Sequence, residues 1–254
     1  MYIKQTHSTS SLLREQYTDD LPHLYTIRTD FQTAGRGQAG NSWESEDGKN
    51  LLFSTLLRYP TLQAAEQWRL SMLVAVAVRE AIEKTIQNGL DRLKIKWPND
   101  IYYGDKKLVG ILIENTLVGG NIAYTIAGIG INVNQTEWRS DAPNPISIKQ
   151  ITGGECEIES LLGAFLEALQ KWETISTPAL SLEYMTHLYR YQEWHWFVER
   201  EVSTTPTAIA NSMTGGFEAK IMDITCQGEL VLQTRDGENK NYHFKQIRFI
   251  IQNL

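Results

Sequence analysis

Residues 108–113 read Leu-Val-Gly-Ile-Leu-Ile and combine five large apolar side chains with one glycine. A strand that is apolar on both faces is typical of a sheet covered on both sides. Two lysines, Lys106 and Lys107, lie at its entrance. A lysine beside a buried strand costs desolvation energy unless an anion meets it. The segment therefore predicts a covered, central strand with an anion-binding site at its mouth.

Adjacent residues on a strand point to opposite faces, so at most one of these lysines enters a site. Lys106 is expected to reach solvent at the turn. Strict alternation puts Lys107 on the face shared by Val109, Ile111 and Ile113. From these residues alone, a solvated position explains either lysine as well as a position in the anion site does.

The chain as a whole predicts an α+β fold with a large and a small domain. Helical spacing is strongest in residues 64–87, and the other predicted helices are 8–17, 158–175 and 182–194. Strands are predicted at 24–29, 51–59, 93–97, 108–114 and 122–133. After Pro206 short alternating strands follow at 217–224, 229–234 and 242–251. We expect a boundary between Val198 and Pro206, which gives domains 1–200 and 205–254.

Composition excludes several classes of protein. The 254 residues are 42% hydrophobic and 21% charged, as in ordinary globular proteins. A net charge of −6 gives no electrostatic footprint for nucleic acid. Cys156 and Cys226 lie too far apart in sequence to signal a disulfide framework or a zinc ribbon. Without a membrane-length apolar run or a signal peptide, we expect a soluble, cytoplasmic protein that binds neither nucleic acid nor membrane.

Three glycines, Gly35, Gly37 and Gly40, satisfy the GxGxxG fingerprint of dinucleotide-binding proteins. That motif requires a helix to begin at the third glycine, where its amides meet the pyrophosphate. Here a polar, turn-rich segment, 41–50, leads directly into a strand, so the Rossmann interpretation is rejected. What remains is a loop that holds Arg36, whose guanidinium can bind carboxylate or phosphate. A surface turn with a solvated arginine is the alternative, and it is the better one for an isolated loop.

Four motifs, in order and spacing, resemble those of biotin protein ligases. They are TAGRGQAGNSW at 33–43, KWPND at 96–100, KLVGILIE at 107–114 and GIGINV at 128–133. Ser8-Thr9-Ser10 before a short helix resembles the family's Ser-Thr-Asn, and the small C-terminal domain resembles its SH3-like module. The resemblance implies a class II synthetase-like domain, with a central mixed sheet and flanking helices, followed by an SH3-like β-barrel.

The reaction implied by this resemblance has two steps. The carboxylate of biotin attacks the α-phosphate of ATP, which gives biotinyl-5′-AMP and pyrophosphate. A lysine of the biotin carboxyl carrier domain of a biotin-dependent carboxylase then takes the biotin. Mg²⁺ would accompany the ATP phosphates, with Asp100 as a candidate ligand.

The resemblance also implies roles for individual residues. Lys107 would bridge the biotin carboxylate and the α-phosphate, and Arg36 would bind the carboxylate or the adenylate phosphate. Asp100 would orient its neighbours, bind Mg²⁺ or accept a proton from the incoming lysine. Biotin would contact Ser8, Thr9, Ser10, Gln32, Arg36, Gly37, Gln38, Lys107 and Gly110. The nucleotide would contact Gln38, Asn41, Trp43 and Asn132.

Each of these residues also has a purely structural interpretation. Residues 8–10 fit a helix N-cap, Trp43 a core aromatic residue, Asp100 a turn and Asn132 a strand end. The loop also departs from the family pattern, because Gln38 and Asn41 stand where basic residues are common and Ala39 lies between them. We therefore hypothesise weaker retention of the adenylate. Ser10 replaces the family's asparagine with a shorter side chain.

Three alternatives accompany this interpretation. Lipoate or octanoate ligases and transferases share the fold, and a binding module with a decayed site would need no catalysis. Some relatives carry an N-terminal DNA-binding domain, but only seven residues precede Ser8 here, so a monofunctional ligase is expected. Strand edges near 122–133 can pair across a homodimer, although no residue requires it.

Overall fold

The computed structural model describes residues 1–38, 41–140, 144–200 and 216–251. The chain divides into two compact units, Met1–His187 and Leu188–Leu254. The first is built on a seven-stranded sheet and the second on a five-stranded sheet. This mixed architecture confirms the predicted α+β fold class. No helix in the described part of the chain is long and apolar enough to cross a membrane.

The sheet of the first unit has the strand order β1-β2-β3-β7-β6-β5-β4. Only β1 and β2 pair in parallel, and all other neighbours are antiparallel. The strands are β1 (Tyr2–Thr6), β2 (Thr26–Gln32), β3 (Leu51–Leu57), β4 (Leu93–Lys96), β5 (Asp100–Tyr103), β6 (Lys106–Val118) and β7 (Asn121–Ile131). The helices are α1 (Thr9–Glu15), α2 (Trp68–Glu83), α3 (Ile148–Thr152), α4 (Ile158–Glu173) and α5 (Thr177–Thr186).

Strand β3 separates a helical layer from the face that carries the candidate site. Phe53 packs against Phe165 of α4, with ring centroids 5.1 Å apart. The next residue, Ser54, contacts Thr9 and Ser10 of α1. Neighbouring strand residues point to opposite faces, so α4 and α1 cover opposite sides of the sheet. All seven residues of β3 are buried, as cover on both sides requires.

The two-sided cover predicted for residues 108–113 holds only at the start of β6. Leu108, Val109 and Ile111 are buried, whereas Leu112 and Ile113 are half-buried. The prediction is wrong for this second half because Leu112 lines an open cavity. An apolar residue in a binding cavity gives the same sequence signal as one in a core.

Two strands of this sheet were not expected from the sequence, and their composition explains why. Strand β1 is a polar edge strand without clear alternation, and β5 directly follows a Pro-Asn pair that favours a turn. Helix α5 ends at Thr186, so the helix predicted at 182–194 is wrong in its second half. Of the strand predicted at 242–251, only Ile247–Phe249 forms a strand, and Tyr242 is the last residue of the preceding one.

The second unit is an antiparallel sheet with the order β11-β10-β9-β8-β12. Its strands are β8 (Trp194–Glu199), β9 (Phe217–Ile224), β10 (Leu230–Thr234), β11 (Asn239–Tyr242) and β12 (Ile247–Phe249). Strand β8 pairs with β9 and β12, whereas a boundary at 200–205 would assign β8 to the large domain. Most of the segment predicted to hold the boundary, including Pro206, lies outside the described residues. Closure into an SH3-like barrel stays a prediction.

Candidate active site

A β-bulge at Leu108 determines the direction of the Lys107 side chain. Ile101 on β5 pairs with Val109 on β6, and the next residue, Tyr102, pairs with Lys107. Leu108 is therefore an extra residue without a partner across this ladder. Such an insertion reverses the alternation of side chains beyond it.

Because of the bulge, Lys107 faces the same side as Asp100 and Gly110. Its Nζ lies 2.8 Å from Oδ2 of Asp100. The alternation argument, which put Lys107 with Val109 and Ile111, is wrong for this reason. No sequence signal marked the bulge. A salt bridge at this distance, with the lysine side chain one-third exposed, provides a cation held in a fixed position near solvent.

The indole ring of Trp43 packs on two glycines. Gly110 on β6 and Gly130 on β7 are paired across the ladder. A Cβ at either glycine would come within 2.6 Å of the Trp43 indole, so only glycine leaves room for the ring. The Nζ of Lys107 lies 5.8 Å from the ring centroid, within range of a cation–π contact. Gly130 was missed from sequence, although the Gly-Ile-Gly alternation of β7 offered the signal.

A cavity of about 420 Å³ opens beside Trp43 and Lys107. Two buried atoms of residues that line it, Nε1 of Trp43 and Oδ1 of Asn132, have no hydrogen-bond partner. The Nδ2 of Asn132 donates to the carbonyl of Ile146 at 3.1 Å. Buried donors and acceptors are normally paired, so these two atoms leave unused hydrogen-bonding capacity beside the cavity. The lining residues are Asn41, Ser42, Trp43, Glu44, Lys107, Asn132, Trp138, Ser140, Asn144 and Pro145.

The glycine loop is a tight hairpin. The Gly37 amide donates to the Asn41 carbonyl at 2.7 Å, and the Trp43 amide donates to the Gly35 carbonyl at 3.0 Å. A Cβ at Gly35 would lie 2.6 Å from the Trp43 carbonyl oxygen, which excludes larger residues. Gly40 and Ala39 lie outside the described residues. A second cavity, of about 590 Å³, is lined by Ala34, Gly35, Arg36, Gly37, Asn41, Ser42, Leu112 and Glu114.

Arg36 is held by a carboxylate that the sequence did not single out. Its Nη2 lies 2.5 Å from Oε1 of Glu114, and its Nη1 donates to Oγ of Ser11 at 3.1 Å. Nη2 of Arg14 lies 3.0 Å from the same Oε1. The buried Oε2 of Glu114 has no partner. Glu114 ends one of the four motifs, and its position opposite Arg36 depends on the fold.

A buried hydroxyl cluster joins α1 to the sheet. Oγ of Ser54 lies 2.8 Å from Oγ1 of Thr9 and 2.9 Å from Oγ of Ser10. The Thr9 amide donates to Oε1 of Gln32 at 2.8 Å. Gly128, across from Ser54, must be glycine because a Cβ would overlap Oγ of Ser10. Ser54 was missed, although a serine in an otherwise apolar strand is a signal for a buried polar contact.

The predicted site residues thus fall into three neighbouring groups. Lys107, Asn132 and Trp43 line the smaller cavity, with Asp100 paired to Lys107 and Gly110 beneath Trp43. Arg36 and Gly37 line the larger cavity, and Asn41 lines both. Thr9 and Ser10 form the hydroxyl cluster with Ser54, and Gln32 bonds to Thr9. Ser8 has a different position, because its Oγ accepts the Ser11 amide as the N-cap of α1. Gln38 lies in the hairpin, where its carbonyl accepts the Asn41 amide at 3.1 Å.

Glu44 connects the hairpin to the loop that carries Trp138. Its carboxylate accepts the amide protons of Arg139 at 2.7 Å and Ser140 at 2.9 Å. Partial burial tends to raise the pKa of Glu44, but these hydrogen bonds outweigh it and hold the pKa below its ordinary value. The Glu44 carboxylate is therefore ionised at neutral pH and keeps both hydrogen bonds.

A metal held by protein ligands alone does not fit this site. Within the described ranges, no group of three His, Cys, Asp or Glu residues is arranged to bind a metal ion. Asp100 supplies one carboxylate, which is the usual protein contribution to a Mg²⁺ that is bound mainly by substrate phosphates. Asp100 also helps to raise the pKa of the Tyr184 hydroxyl, after the larger effect of burial, so Tyr184 stays protonated.

The profile of the biotin/lipoate A/B protein ligase family matches residues 2–132. The bifunctional ligase/repressor BirA of Bacillus subtilis is 31% identical over 247 residues, which cover 95% of this chain and 71% of that protein. The biotin–[acetyl-CoA-carboxylase] ligase of Paracoccus denitrificans is 30% identical over 146 residues, 56% of this chain and 60% of that one. Among solved structures, the biotin protein ligase of Aquifex aeolicus in complex with biotin and ATP has a TM-score of 0.75 at 24% identity, covering 98% and 97% of the two chains. The described fold is shared with that structure.

Proposed function

Because the chain belongs to the biotin/lipoate A/B protein ligase family, we propose that it is an ATP-dependent biotin protein ligase. In the first step, a carboxylate oxygen of biotin bonds to the α-phosphorus of ATP and pyrophosphate leaves. In the second, the ε-amino group of a carrier lysine attacks the acyl carbon, forming an amide and releasing AMP. The observation that carries the proposal is the Lys107–Asp100 pair, turned by the Leu108 bulge toward a cavity with unpaired donor and acceptor atoms.

The nucleotide is assigned to the cavity beside Trp43. The indole gives a flat apolar surface for a base, and its Nε1 and the Oδ1 of Asn132 offer one donor and one acceptor. A volume of about 420 Å³ is within the range of small-molecule sites. Asn41 lines both cavities and is proposed to contact the adenylate where base and phosphate meet.

Biotin is assigned to the hydroxyl cluster and the adjoining cavity at Arg36. The ring urea of biotin has two N–H donors and one carbonyl acceptor. Thr9 and Ser10, held by Ser54, and Gln32, held by Thr9, supply hydroxyl and amide groups of both kinds. Ser8, as a helix cap, contributes by holding the start of α1. The acid chain would then extend from the cavity at Arg36 toward Lys107.

Catalysis of the first step is proposed to come from positioning and charge. Both reactants are anions, and phosphoryl and acyl-phosphate chemistry is accelerated mainly by holding the groups in line and stabilising the developing charge. Lys107 would contact the carboxylate and the α-phosphate, and Arg36 the anion from the other cavity, near the Gly37 backbone and Gln38. Mg²⁺, bound by the phosphates and Asp100, would neutralise further negative charge.

The second step needs a protein substrate, proposed to be the biotin carboxyl carrier domain of a biotin-dependent carboxylase. Asp100, within 2.8 Å of Lys107, is the proposed acceptor of the proton that the attacking amine loses. A cytoplasmic location and pairing of two chains through strand edges belong to the same proposal. Lipoate ligation is not favoured, because the relative from Paracoccus denitrificans and the structural neighbour from Aquifex aeolicus are both named as biotin ligases.

The decisive experiment is incubation with biotin, MgATP and an apo carrier domain, scoring pyrophosphate release and the mass of the carrier. Lipoate and octanoate serve as competing acids. We expect biotin-dependent pyrophosphate release and one added biotin per carrier. Modification with lipoate or octanoate but not biotin would overturn the substrate assignment, and no acid-dependent pyrophosphate release would overturn the activity.

A further inference from the structure

Arg14, Arg36 and Glu114 form a cluster with two positive charges and one negative charge. Both guanidinium groups contact the same oxygen, Oε1 of Glu114, at 3.0 Å and 2.5 Å. The Glu114 side chain is only 16% exposed, whereas the Arg14 and Arg36 side chains are 48% and 41% exposed. The carboxylate is therefore the fixed member of the cluster, and the two arginines are its accessible members.

Glu114 alone would work against the proposed role of Arg36. A one-to-one pair of Arg36 and a partly buried carboxylate is neutral, and an incoming anion would meet repulsion from Glu114. Arg14 changes this balance because it supplies a second positive charge to the same oxygen. The cluster then keeps one surplus positive charge on the side of the substrate cavity, which Arg36 and Glu114 line.

We propose that Arg14 is a positioning residue: it neutralises Glu114, so that Glu114 orients Arg36 without cancelling the charge that Arg36 presents to the adenylate. The inference rests on the proposed function and adds a residue outside the four motifs. Arg14 lies in the last turn of α1, the helix whose first turn carries Thr9 and Ser10. One short helix thus contributes both to the hydroxyl cluster and to the charge of the anion site.

An exposed ion pair without functional consequence is the competing interpretation, since such pairs contribute little to stability. The two interpretations differ in what depends on Arg36. If Arg14 acts through Glu114 on Arg36, its effect must disappear when Arg36 is absent. If Arg14 only stabilises α1, its effect must be the same with or without Arg36.

The test is a double-mutant cycle on the dissociation rate of biotinyl-AMP formed in the enzyme from biotin and MgATP. We expect Arg14→Gln to raise this rate about tenfold, the size of one charge interaction in a partly exposed site. Arg14→Lys, which keeps the charge, should stay within about twofold of the unchanged chain. In an Arg36→Ala background, Arg14→Gln should add nothing. An unchanged rate in Arg14→Gln, or an equal increase in both backgrounds, would overturn the inference.

Failure of the proposed function gives a different result: the unsubstituted protein, with Arg14 intact, would then form no biotinyl-AMP. Calorimetric titration with biotin and with biotin methyl ester, which lacks the carboxylate charge, then decides the inference. Weaker binding of biotin but not of the ester to Arg14→Gln supports it, and equal changes for both overturn it.

Discussion

The two cations of the site are paired with carboxylates in different ways. Lys107 and Asp100 form a one-to-one pair at 2.8 Å, and their charges cancel. Arg36 shares Glu114 with Arg14, and this cluster keeps a surplus positive charge. One site thus contains a neutral pair and a cationic cluster on the same face of the sheet.

The difference indicates what each part is prepared to bind. An anion approaching Lys107 also approaches Asp100, so its binding is favoured when a cation comes with it. ATP carrying Mg²⁺ meets this condition. An anion approaching Arg36 needs no companion. In the proposed reaction, the neutral pair therefore suits the metal-bound polyphosphate, and the cationic cluster suits the anion that remains after pyrophosphate has left.

The largest effect is expected from Lys107→Ala. It removes the cation proposed to contact both reacting anions, and we expect the rate of pyrophosphate release to fall by at least about 100-fold. Lys106→Ala is the matched control, because the exposed Lys106 pairs with Tyr103 at the strand entrance and should leave the rate unchanged. Adenylation by Lys107→Ala at the natural rate would contradict the role of the neutral pair.

Gly110→Ala should weaken nucleotide binding beside the Lys107–Asp100 pair. Its Cβ would lie 2.6 Å from the Trp43 ring, so the ring would have to move away from Gly110 and Gly130. We expect KM for ATP to rise roughly tenfold, with a smaller change in kcat, since the reacting groups are intact. Gly163→Ala, where a Cβ meets no atom within 4 Å, is the control. Equal KM values for the two variants would show that the ring position does not matter.

Asp100→Asn distinguishes the two carboxylates. If the neutral pair binds the metal-bound polyphosphate, the concentration of Mg²⁺ needed for the half-maximal rate should rise about fivefold. Glu114→Gln should leave that concentration unchanged and instead alter release of the adenylate. The comparison fails if both variants change the Mg²⁺ dependence equally.

Gln38→Arg adds charge on the cationic side. Another positive charge near the adenylate phosphate should slow dissociation of biotinyl-AMP by about threefold, a value typical of one exposed charge contact. Steady-state adenylation is expected to change less than the release rate. A release rate equal to that of the natural loop would remove the hypothesis that Gln38 weakens adenylate retention.

The smallest effect concerns pH. The pKa of Glu44 is lowered in the folded chain, so its hydrogen bonds stabilise the fold fully above the ordinary value of 4.5 and lose this effect as pH falls through the lowered pKa. Unfolding free energy measured from about pH 6 to about pH 3 should show a shallower decrease for Glu44→Gln than for the natural chain. Parallel curves would mean that Glu44 does not hold the Trp138 loop.

Local sequence patterns predicted most of the large domain. The helical spacing of α2 and α4 and the apolar strands β3 and β7 are strong, short-range signals, because the burial of one face determines them. Strands β1, β5 and β8 lacked such signals. Strands β1 and β8 pair with strands distant in sequence, whereas β5 pairs with its sequence neighbours β4 and β6. The motifs predicted side chains that the fold brings beside two cavities, since Lys107, Trp43 and Asn132 line one and Arg36 lines the other.

The contacts between those groups depend on tertiary structure. Glu114 contacts Arg36 and Arg14 across positions far apart in sequence, and Ser54 contacts Thr9 and Ser10 in the same way. Their partners are set by strand pairing, which no local pattern records. The direction of Lys107 was wrong from alternation because the ladder contains one unpaired residue.

That unpaired residue makes the site sensitive to chain length more than to side-chain identity. Any apolar residue that fits the core can replace Leu108 and leave Lys107 on the side of Asp100. Deleting Leu108, or inserting a second residue beside it, would turn the lysine to the opposite face while leaving every other residue of the four motifs unchanged. In evolution and in engineering, this short stretch should therefore accept substitutions but reject insertions and deletions.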